Sequence, residues 1–227
     1  MDLVEFASKL SLLRARIEAG ITRPAILIVT SARKKDGKSL VSYGLASSLV
    51  EANYKTLFVN ANQEGVHGAV NSAPRLSDHP DFDVCAYVAP GQGATPDSID
   101  LGGSGVAASG SIDAVRATFD RFRERYEYTV VDTSVLSSSS LSLLFAAVAD
   151  GVIVSIRDGR SITSADKDTS NLLRTAGANF LGAVTADSRA IRDFRTAAKE
   201  HGLGAFSQVR VPYDDGRVRG SRAHVPS

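Results

Sequence analysis

The sequence predicts a single α/β domain in which a mostly parallel sheet of about seven strands carries helices on both faces. Short apolar runs alternate with amphipathic stretches, and this alternation is typical of strands joined by crossover helices. The apolar runs are rich in β-branched residues and have no polar side, which indicates strands that are buried on both faces. At 227 residues, 43% of them hydrophobic, the chain is long enough to bury one substantial core.

The predicted elements alternate along the chain. The strands are predicted at residues 25–30, 55–59, 82–88, 128–131, 152–156, 180–185 and 205–211. The helices are predicted at residues 3–19, 39–52, 111–125, 138–148, 164–176 and 190–201. Residues 90–110 are rich in Gly, Ser and Ala without a lasting period, so a long loop is expected there.

Charge and cysteine content narrow the functional classes. The net charge of +1 gives no general attraction for nucleic acid or anionic lipid, and no nucleic-acid partner is expected. The one cysteine, Cys85, rules out an internal disulfide framework and a multi-cysteine metal site, and is expected to be a small buried apolar residue. No apolar run approaches the roughly 20 residues that span a bilayer, so a cytoplasmic protein is expected.

The most informative motif lies between the first predicted strand and the helix that follows it. After ILIVT comes SARKKDGKS, in which Gly37, Lys38 and Ser39 match the end of the phosphate-loop pattern G-x-x-x-x-G-K-[ST]. In that pattern backbone N–H groups surround phosphate, the lysine reaches the terminal phosphates and the hydroxyl binds magnesium. The N-terminus of the next helix points at the loop and favours an anion there. Ala32 stands where the pattern begins with glycine, so a basic surface turn is the alternative.

The expected nucleotide contacts extend along the whole loop. The candidate residues are consecutive: Arg33, Lys34, Lys35, Asp36, Gly37, Lys38, Ser39 and Leu40. Lys34 and Lys35 also fit solvated loop positions. Asp36 also fits a solvated residue or one that caps the local turn.

A second, acidic element is expected to complete such a site. Residues 128–132 read Tyr-Thr-Val-Val-Asp, a strand-like run that ends in an acid, which is the form of a Walker B aspartate. Asp132 and Ser39 are therefore the predicted residues of a magnesium shell. The alternative for Asp132 is a strand-end aspartate that caps the next turn.

Three blocks of sequence carry a resemblance to a known family. They are TSARKKDGKSLVSYGLASSLVEANYKTLFVNAN, ERYEYTVVDTS and ADGVIVSIRDGRSITSADKDTSNLLRTAGANFLGAV. Together they resemble the bacterial tyrosine kinases of polysaccharide synthesis and export, which are relatives of the MinD/ParA ATPases. The resemblance implies a P-loop fold, ATP or ADP with Mg²⁺ as cofactors, and the cytoplasmic segment of a membrane polysaccharide co-polymerase as partner. It also implies recruitment to the inner membrane by that partner, and leaves a homo-oligomer open.

Three departures from the family bear on its activity. The strand-end D-x-D of the family aligns with Asn60 and Asn62, and an amide cannot act as a general base near neutral pH. The C-terminal tyrosine cluster is missing, since no tyrosine follows Tyr213. The arginines of the E-x-x-R-x-x-R ring motif align with Ser8 and Ser11.

The departures predict a degenerate relative of these kinases that binds a nucleotide with little or no phosphotransfer. No residue is predicted to be catalytic, and Asn60 and Asn62 mark where the acids are missing. One alternative is an active ATPase or protein-tyrosine kinase that uses other acids, such as Asp36 or Glu64. The other is an interaction module with an empty pocket, in which the loop lysines obstruct phosphate.

The chain is predicted to have three segments: an N-terminal amphipathic helix at 1–20, a nucleotide-binding domain at 21–212 and a flexible tail at 213–227. Five apolar residues of the helix recur at spacings of three and four: Leu3, Phe6, Leu10, Leu13 and Ile17. This stripe favours packing on the domain's own sheet over a docking surface for another helix.

The resemblance also concerns the nucleotide base. Pro212 and Tyr213 of VPYDD resemble residues that contact the base in MinD/ParA relatives, and an ordinary turn is an equal alternative. The family often has an adenine-facing asparagine after its sixth strand, where this chain has Ala186.

Overall fold

The computed structural model describes residues 3–62, 76, 83–101 and 111–201. The strands within these ranges are β1 (Ala25–Thr30), β2 (Thr56–Ala61), β3 (Asp97–Asp100), β4 (Tyr128–Thr133), β5 (Gly151–Arg157) and β6 (Phe180–Ala186). All six belong to one parallel sheet in the order β3-β2-β4-β1-β5-β6. The predicted α/β fold with a parallel sheet is confirmed, and β1 and β4 lie at its centre.

The helices of the described residues connect these strands. They are α1 (Leu3–Gly20), α2 (Lys38–Glu51), α3 (Ile112–Arg123), α4 (Ser140–Val148), α5 (Ser164–Thr175) and α6 (Ser188–His201). Two short 3-10 helices occupy Val84–Tyr87 and Leu136–Ser138. No helix in the described ranges has the length and apolar character needed to cross a membrane.

Successive residues of β1 enter two different cores. Ile26 and Ile28 pack on one face of the sheet with residues of α3, α4 and α5, among them Phe119. Leu27 and Val29 pack on the opposite face with residues of α1, α2 and α6. All five side chains are fully buried. Both faces of the sheet are therefore covered, which explains why the strands read as continuous apolar runs.

The chain between β2 and α3 differs from the sequence prediction. Residues 82–88, predicted as a strand, contain the 3-10 helix Val84–Tyr87, because the Asp83 carboxylate accepts a hydrogen bond from the Cys85 backbone N–H at 3.0 Å. Cys85 itself is buried, as expected. The strand lies later, at β3, inside the predicted loop 90–110. The strand predicted at 205–211 lies outside the described residues.

Helix α1 belongs to the core of the domain. Phe6, Leu10 and Ile17 are 1–2% exposed and pack with α2 and the sheet. The two helices approach closely at Gly44, where an added Cβ would lie 2.6 Å from Cδ1 of Leu10. Most of the apolar stripe is thus directed inward, and Leu12, outside the stripe, is 64% exposed.

Removing the Phe6 ring should destabilise the whole domain. Phe6→Ala deletes a side chain that is 1% exposed and leaves a cavity, so the free energy of unfolding should fall by about 3–5 kcal/mol. Leu12→Ala is the matched control on the same helix, with an expected change within about 0.5 kcal/mol. Denaturant unfolding measures both, and equal small effects would mean that α1 is not part of the core.

Candidate functional site

The phosphate loop leaves the carboxyl end of β1 and leads into α2. Gly37 has a φ of +86°, and an added Cβ would lie 2.6 Å from Cβ of Ala186, so only glycine fits there. Among the described non-glycine residues, only Lys35 and Asn53 have positive φ values. Ala32 therefore does not need the conformational freedom of a glycine, and its departure from the motif is compatible with the loop.

Hydrogen bonds hold the loop from both sides. On the β5 side, Ser155 Oγ donates to the carbonyl oxygen of Asp36 at 2.6 Å. On the β4 side, the backbone N–H of Leu136 donates to the carbonyl oxygen of Ser31 at 3.4 Å. Within the loop, Ser31 Oγ donates to the carbonyl oxygen of Arg33 at 2.7 Å. The loop is thus held by strand β5 on one side and by the 3-10 helix that follows β4 on the other.

Ser39 and Asp132, which the sequence placed in one magnesium shell, are in direct contact. Ser39 lies in the first turn of α2 and Asp132 near the end of β4. Ser39 Oγ donates a hydrogen bond to Asp132 Oδ2 at 2.5 Å. Lys38 is 6% exposed, and its positive charge lies close enough to lower the pKa of the Asp132 carboxyl. The Ser39 hydroxyl, the Lys38 ammonium and the Asp132 carboxylate therefore lie close together at the loop.

The two asparagines lie at the same edge of the sheet. Asn60 pairs in register with Asp132 on the neighbouring strand β4, and it is 4% exposed. Its Oδ1 accepts a hydrogen bond from the backbone N–H of Asn62 at 3.3 Å. The Asn62 side chain also lowers the pKa of Asp132, which places it beside that carboxyl. The Asn60 and Asn62 amides therefore lie close to the Asp132 carboxyl.

Burial raises the pKa of Asp132 from 3.8 to about 6, and Lys38, Ser39 and Asn62 oppose this rise. Its Oδ1 is buried and has no hydrogen-bond partner of ordinary geometry among the described residues. A buried carboxylate oxygen that lacks a partner, next to a hydroxyl, is suited to the hard oxygen-ligand shell of Mg²⁺, which usually takes one or two protein ligands beside phosphate and water. The residues present fit a magnesium nucleotide.

Asp36 is neither solvated nor a local cap, so these sequence interpretations were wrong. Its side chain is 3% exposed and forms an ion pair with Arg160, which follows β5. Arg160 also pairs with Asp166 of α5. Nothing in the sequence signals a pairing between residues 36 and 160. The pattern Thr-x-x-Asp at 163–166 does indicate the capping box that begins α5, and that box positions Asp166.

The remaining predicted contacts divide into three groups. Arg33, Lys34 and Lys35 are exposed on the loop, and Leu40 is half-buried against the core behind it. Ala186 is fully buried against Gly37. Glu64, Pro212 and Tyr213 lie outside the described residues, so their proposed roles stay predictions.

Known proteins share both the sequence pattern and the fold. A scan against models of protein families gives no match. The chain is 23% identical over 189 residues to the tyrosine-protein kinase CpsD of Streptococcus agalactiae. The aligned region covers 76% of this chain and 79% of that protein. The kinase domain of the Escherichia coli tyrosine kinase ETK superposes with a TM-score of 0.58 at 21% identity, covering 72% of this chain and 67% of that one.

A third comparison reaches beyond the kinases. The cobyrinic acid a,c-diamide synthase of Mycobacterium smegmatis, solved with a bound ATP analog and magnesium, has a TM-score of 0.60 at 17% identity. The match covers 76% of this chain and 77% of that one.

The parallel sheet, the loop at the end of β1 and the helix behind it define the class of protein: an α/β protein with the P-loop fold that these structures share. Within that class, the similarity to CpsD and the fold shared with the ETK kinase domain support the predicted resemblance to the bacterial tyrosine kinases.

The buried carboxyl of Asp132 should make the stability of the metal-free protein depend on pH. Because its pKa is raised from 3.8 to about 6, folding favours the protonated form. The stabilisation from this group is complete below pH 3.8 and is lost as the pH rises through about 6. Asp132→Asn removes the charge, so at pH 8 this variant should be more stable than the wild type by about 1–3 kcal/mol.

Denaturant unfolding in the presence of a chelator, at pH 5 and pH 8, measures this difference. Asp168→Asn, which changes an exposed aspartate of α5, is the matched control and should leave the pH dependence as in the wild type. The prediction is wrong if Asp132→Asn is no more stable than the wild type at pH 8.

Proposed function

We propose that this chain binds ATP or ADP with Mg²⁺ at the phosphate loop, transfers phosphate slowly or not at all, and regulates a membrane polysaccharide co-polymerase. The observation that carries the proposal is the contact between Ser39 and Asp132 with Asn60 in register beside it. The elements that hold phosphate and metal are present. Amides stand where the related kinases have acids.

Each residue at the loop has a definite role in this proposal. The backbone N–H groups of residues 33–39 surround the phosphates, and Lys38 neutralises their charge. Ser39 and Asp132 hold the magnesium shell. Bound Mg²⁺ would neutralise charge on the phosphate oxygens. Exposed Arg33, Lys34 and Lys35 add positive charge at the rim of the loop rather than filling it.

The proposed weakness in phosphotransfer has a chemical reason. Proton transfer from the attacking hydroxyl or water needs a base, and the Asn60 and Asn62 amides are neutral at pH 7. Loss of a general base lowers rates by about 10²- to 10⁴-fold, so slow turnover is compatible with the proposal. Asp36, one of the acids considered as a replacement, is occupied by its ion pair with Arg160.

The partner is proposed from the related kinases. The chain resembles proteins that act with the cytoplasmic segment of a polysaccharide co-polymerase, and a nucleotide-dependent change of the loop could be transmitted to such a segment at the membrane. A homo-oligomer is a further part of this proposal, although Ser8 and Ser11 replace the arginines of the ring motif. Copurification with a co-polymerase from the same genome tests the partner.

One observation favours a second candidate, an active ATPase or kinase. Asp100 at the end of β3 pairs in register with Asn60, so an acid occupies the strand next to the amides. Paired residues of parallel strands direct their side chains to the same face, which places Asp100 on the side of the sheet that carries Asp132. Loss of a measurable ATPase rate in Asp100→Asn would support this candidate.

Lys38→Ala should strongly weaken nucleotide binding. The lysine supplies charge-assisted contacts that are worth about 1.5–3 kcal/mol, so the affinity for magnesium-ATP and magnesium-ADP should fall by roughly 10- to 100-fold or more. Lys35→Ala, at an exposed position of the same loop, should reduce affinity much less. Isothermal titration measures both. Equal affinities for Lys38→Ala and the wild type would contradict a nucleotide site at this loop.

Replacing the two asparagines by aspartates should increase phosphotransfer from ATP. The double change Asn60→Asp with Asn62→Asp should raise the ATP turnover by about 10²- to 10⁴-fold, or raise the affinity for magnesium. Phosphate release and phosphotyrosine formation from labelled ATP are the measurements. Asn53→Asp, at an exposed residue that already has a positive φ of 65°, is the control and should have no effect. A double variant that binds nucleotide but gains neither turnover nor magnesium affinity would show that the amides are not the reason for low activity.

A further inference from the structure

A buried ion triad connects the phosphate loop to the beginning of α5. Arg160 Nε donates to Asp36 Oδ1 at 3.1 Å, and Nη2 donates to Asp36 Oδ2 at 2.7 Å. The other edge of the guanidinium faces Asp166, with Nη1 to Oδ2 at 2.8 Å and Nη2 to Oδ1 at 2.5 Å. Nη1 also donates to the carbonyl oxygen of Ser161 at 3.1 Å. All five N–H donors of the arginine are therefore engaged.

The triad is buried, and further hydrogen bonds hold its far end at Asp166. The side chains of Arg160 and Asp36 are 5% and 3% exposed, and that of Asp166 is 10% exposed. Asp166 also accepts hydrogen bonds from the backbone N–H and the hydroxyl of Thr163, at 2.8 and 2.9 Å. The bond from the Thr163 backbone N–H is part of the capping box of α5. The helix therefore provides a fixed base from which Arg160 reaches the loop.

Asp36 is the residue through which this ion triad, called the clamp below, holds the phosphate loop. Both of its carboxylate oxygens bind Arg160, and its carbonyl oxygen accepts a hydrogen bond from Ser155. The next residue, Gly37, has the left-handed conformation that turns the chain into α2, and Lys38 follows at the first position of the helix. A displacement of Asp36 would therefore move the backbone N–H groups and the lysine together.

The charge of the clamp matters as much as its geometry. Asp36 is an acid inside a loop whose other residues suit an anion, and an unpaired carboxylate so close to bound phosphate would repel it. The guanidinium of Arg160 neutralises that carboxylate by pairing with both of its oxygens. Arginine suits this task because its planar fork binds two carboxylates in fixed directions and stays charged.

We infer that Arg160 is a positioning residue for nucleotide binding, which holds the phosphate loop in its binding shape and neutralises Asp36. The inference rests on the proposed binding of nucleotide at this loop. It assigns no chemical step to Arg160. The residue acts through Asp36, from a segment of the chain more than a hundred residues away.

A set of variants tests the inference by isothermal titration with magnesium-ADP. Arg160→Ala leaves the Asp36 carboxylate unpaired, and its affinity should fall by roughly 10-fold or more, the usual scale for an uncompensated buried charge. Asp36→Asn removes the repelling charge but weakens the pairing with Arg160, so its affinity should fall less than that of Arg160→Ala. The double variant, Asp36→Asn with Arg160→Ala, should recover the part of the loss that comes from the unpaired charge and should bind more tightly than Arg160→Ala. A role in packing alone predicts a double variant as weak as Arg160→Ala or weaker.

Two further variants separate charge from shape. Arg160→Lys keeps the charge but loses the planar fork, so it should recover part of the affinity. Arg157→Ala removes a positive charge from an exposed side chain at the end of β5, three residues before Arg160. If the buried pairing is responsible, and not positive charge in general, this variant should lower the affinity less than roughly 3-fold.

Hydrogen exchange of the nucleotide-free protein gives a readout that does not depend on binding. Amides of residues 31–39 should exchange at least roughly 10-fold faster in Arg160→Ala than in the wild type, because the loop opens locally. Amides of β4 should be unchanged, which shows that the variant is folded. Unchanged exchange in the loop would overturn the inference.

The outcomes distinguish the inference from the proposed function. If the wild type does not bind nucleotide but the loop of Arg160→Ala exchanges faster, the proposed function is refuted. The role of Arg160 in holding the shape of the loop is then still supported. A wild type that binds nucleotide, with the same affinity in Arg160→Ala, would keep the proposed function and refute the positioning role.

Discussion

The site depends on the parallel register of three central strands. Strand β4 lies between β1 and β2, with Val29 and Asn60 both paired to Asp132. This register brings the end of β4 next to the loop that follows β1, so that Ser39 can reach the Asp132 carboxylate. A shift by one residue would turn Asp132 to the opposite face of the sheet, away from α2. The cores on both faces, which bury alternate residues of β1, hold the register in place.

Two acids of the loop region serve different purposes because their surroundings differ. Asp132 is buried with one oxygen that lacks a partner among the described residues, and burial raises its pKa to about 6. The charged form of Asp132 is therefore costly by itself and is stabilised by a nearby cation, which favours a metal-binding role. Asp36 is equally buried but both of its oxygens are bound by Arg160. It stabilises the shape of the loop and is not available as a ligand or base.

Long apolar strands and amphipathic helices were the parts of the fold that could be predicted, since burial on two faces leaves a strong pattern. Strand β3 could not be predicted, because it is a four-residue edge strand in which only Ile99 is buried. Its backbone pairs with β2, but its residues do not form the continuous apolar run that identifies a buried strand in the sequence. The strand predicted at 82–88 was wrong for a different reason: Val84 and Cys85 reach the core from a 3-10 helix that Asp83 caps, not from an extended strand.

The sequence by itself determined the α/β class, the loop that begins α2, and the places of Asp132, Asn60 and Asn62 at or just after the ends of their strands. These features are local, so spacing along the chain is enough to reveal them. Only the tertiary structure decided that Asp36 pairs with Arg160 and that Asp100 stands beside Asn60. Such contacts join residues that are distant in the chain, and they form only because parallel strands bring their carboxyl ends, with the loops that follow, to one edge of the sheet.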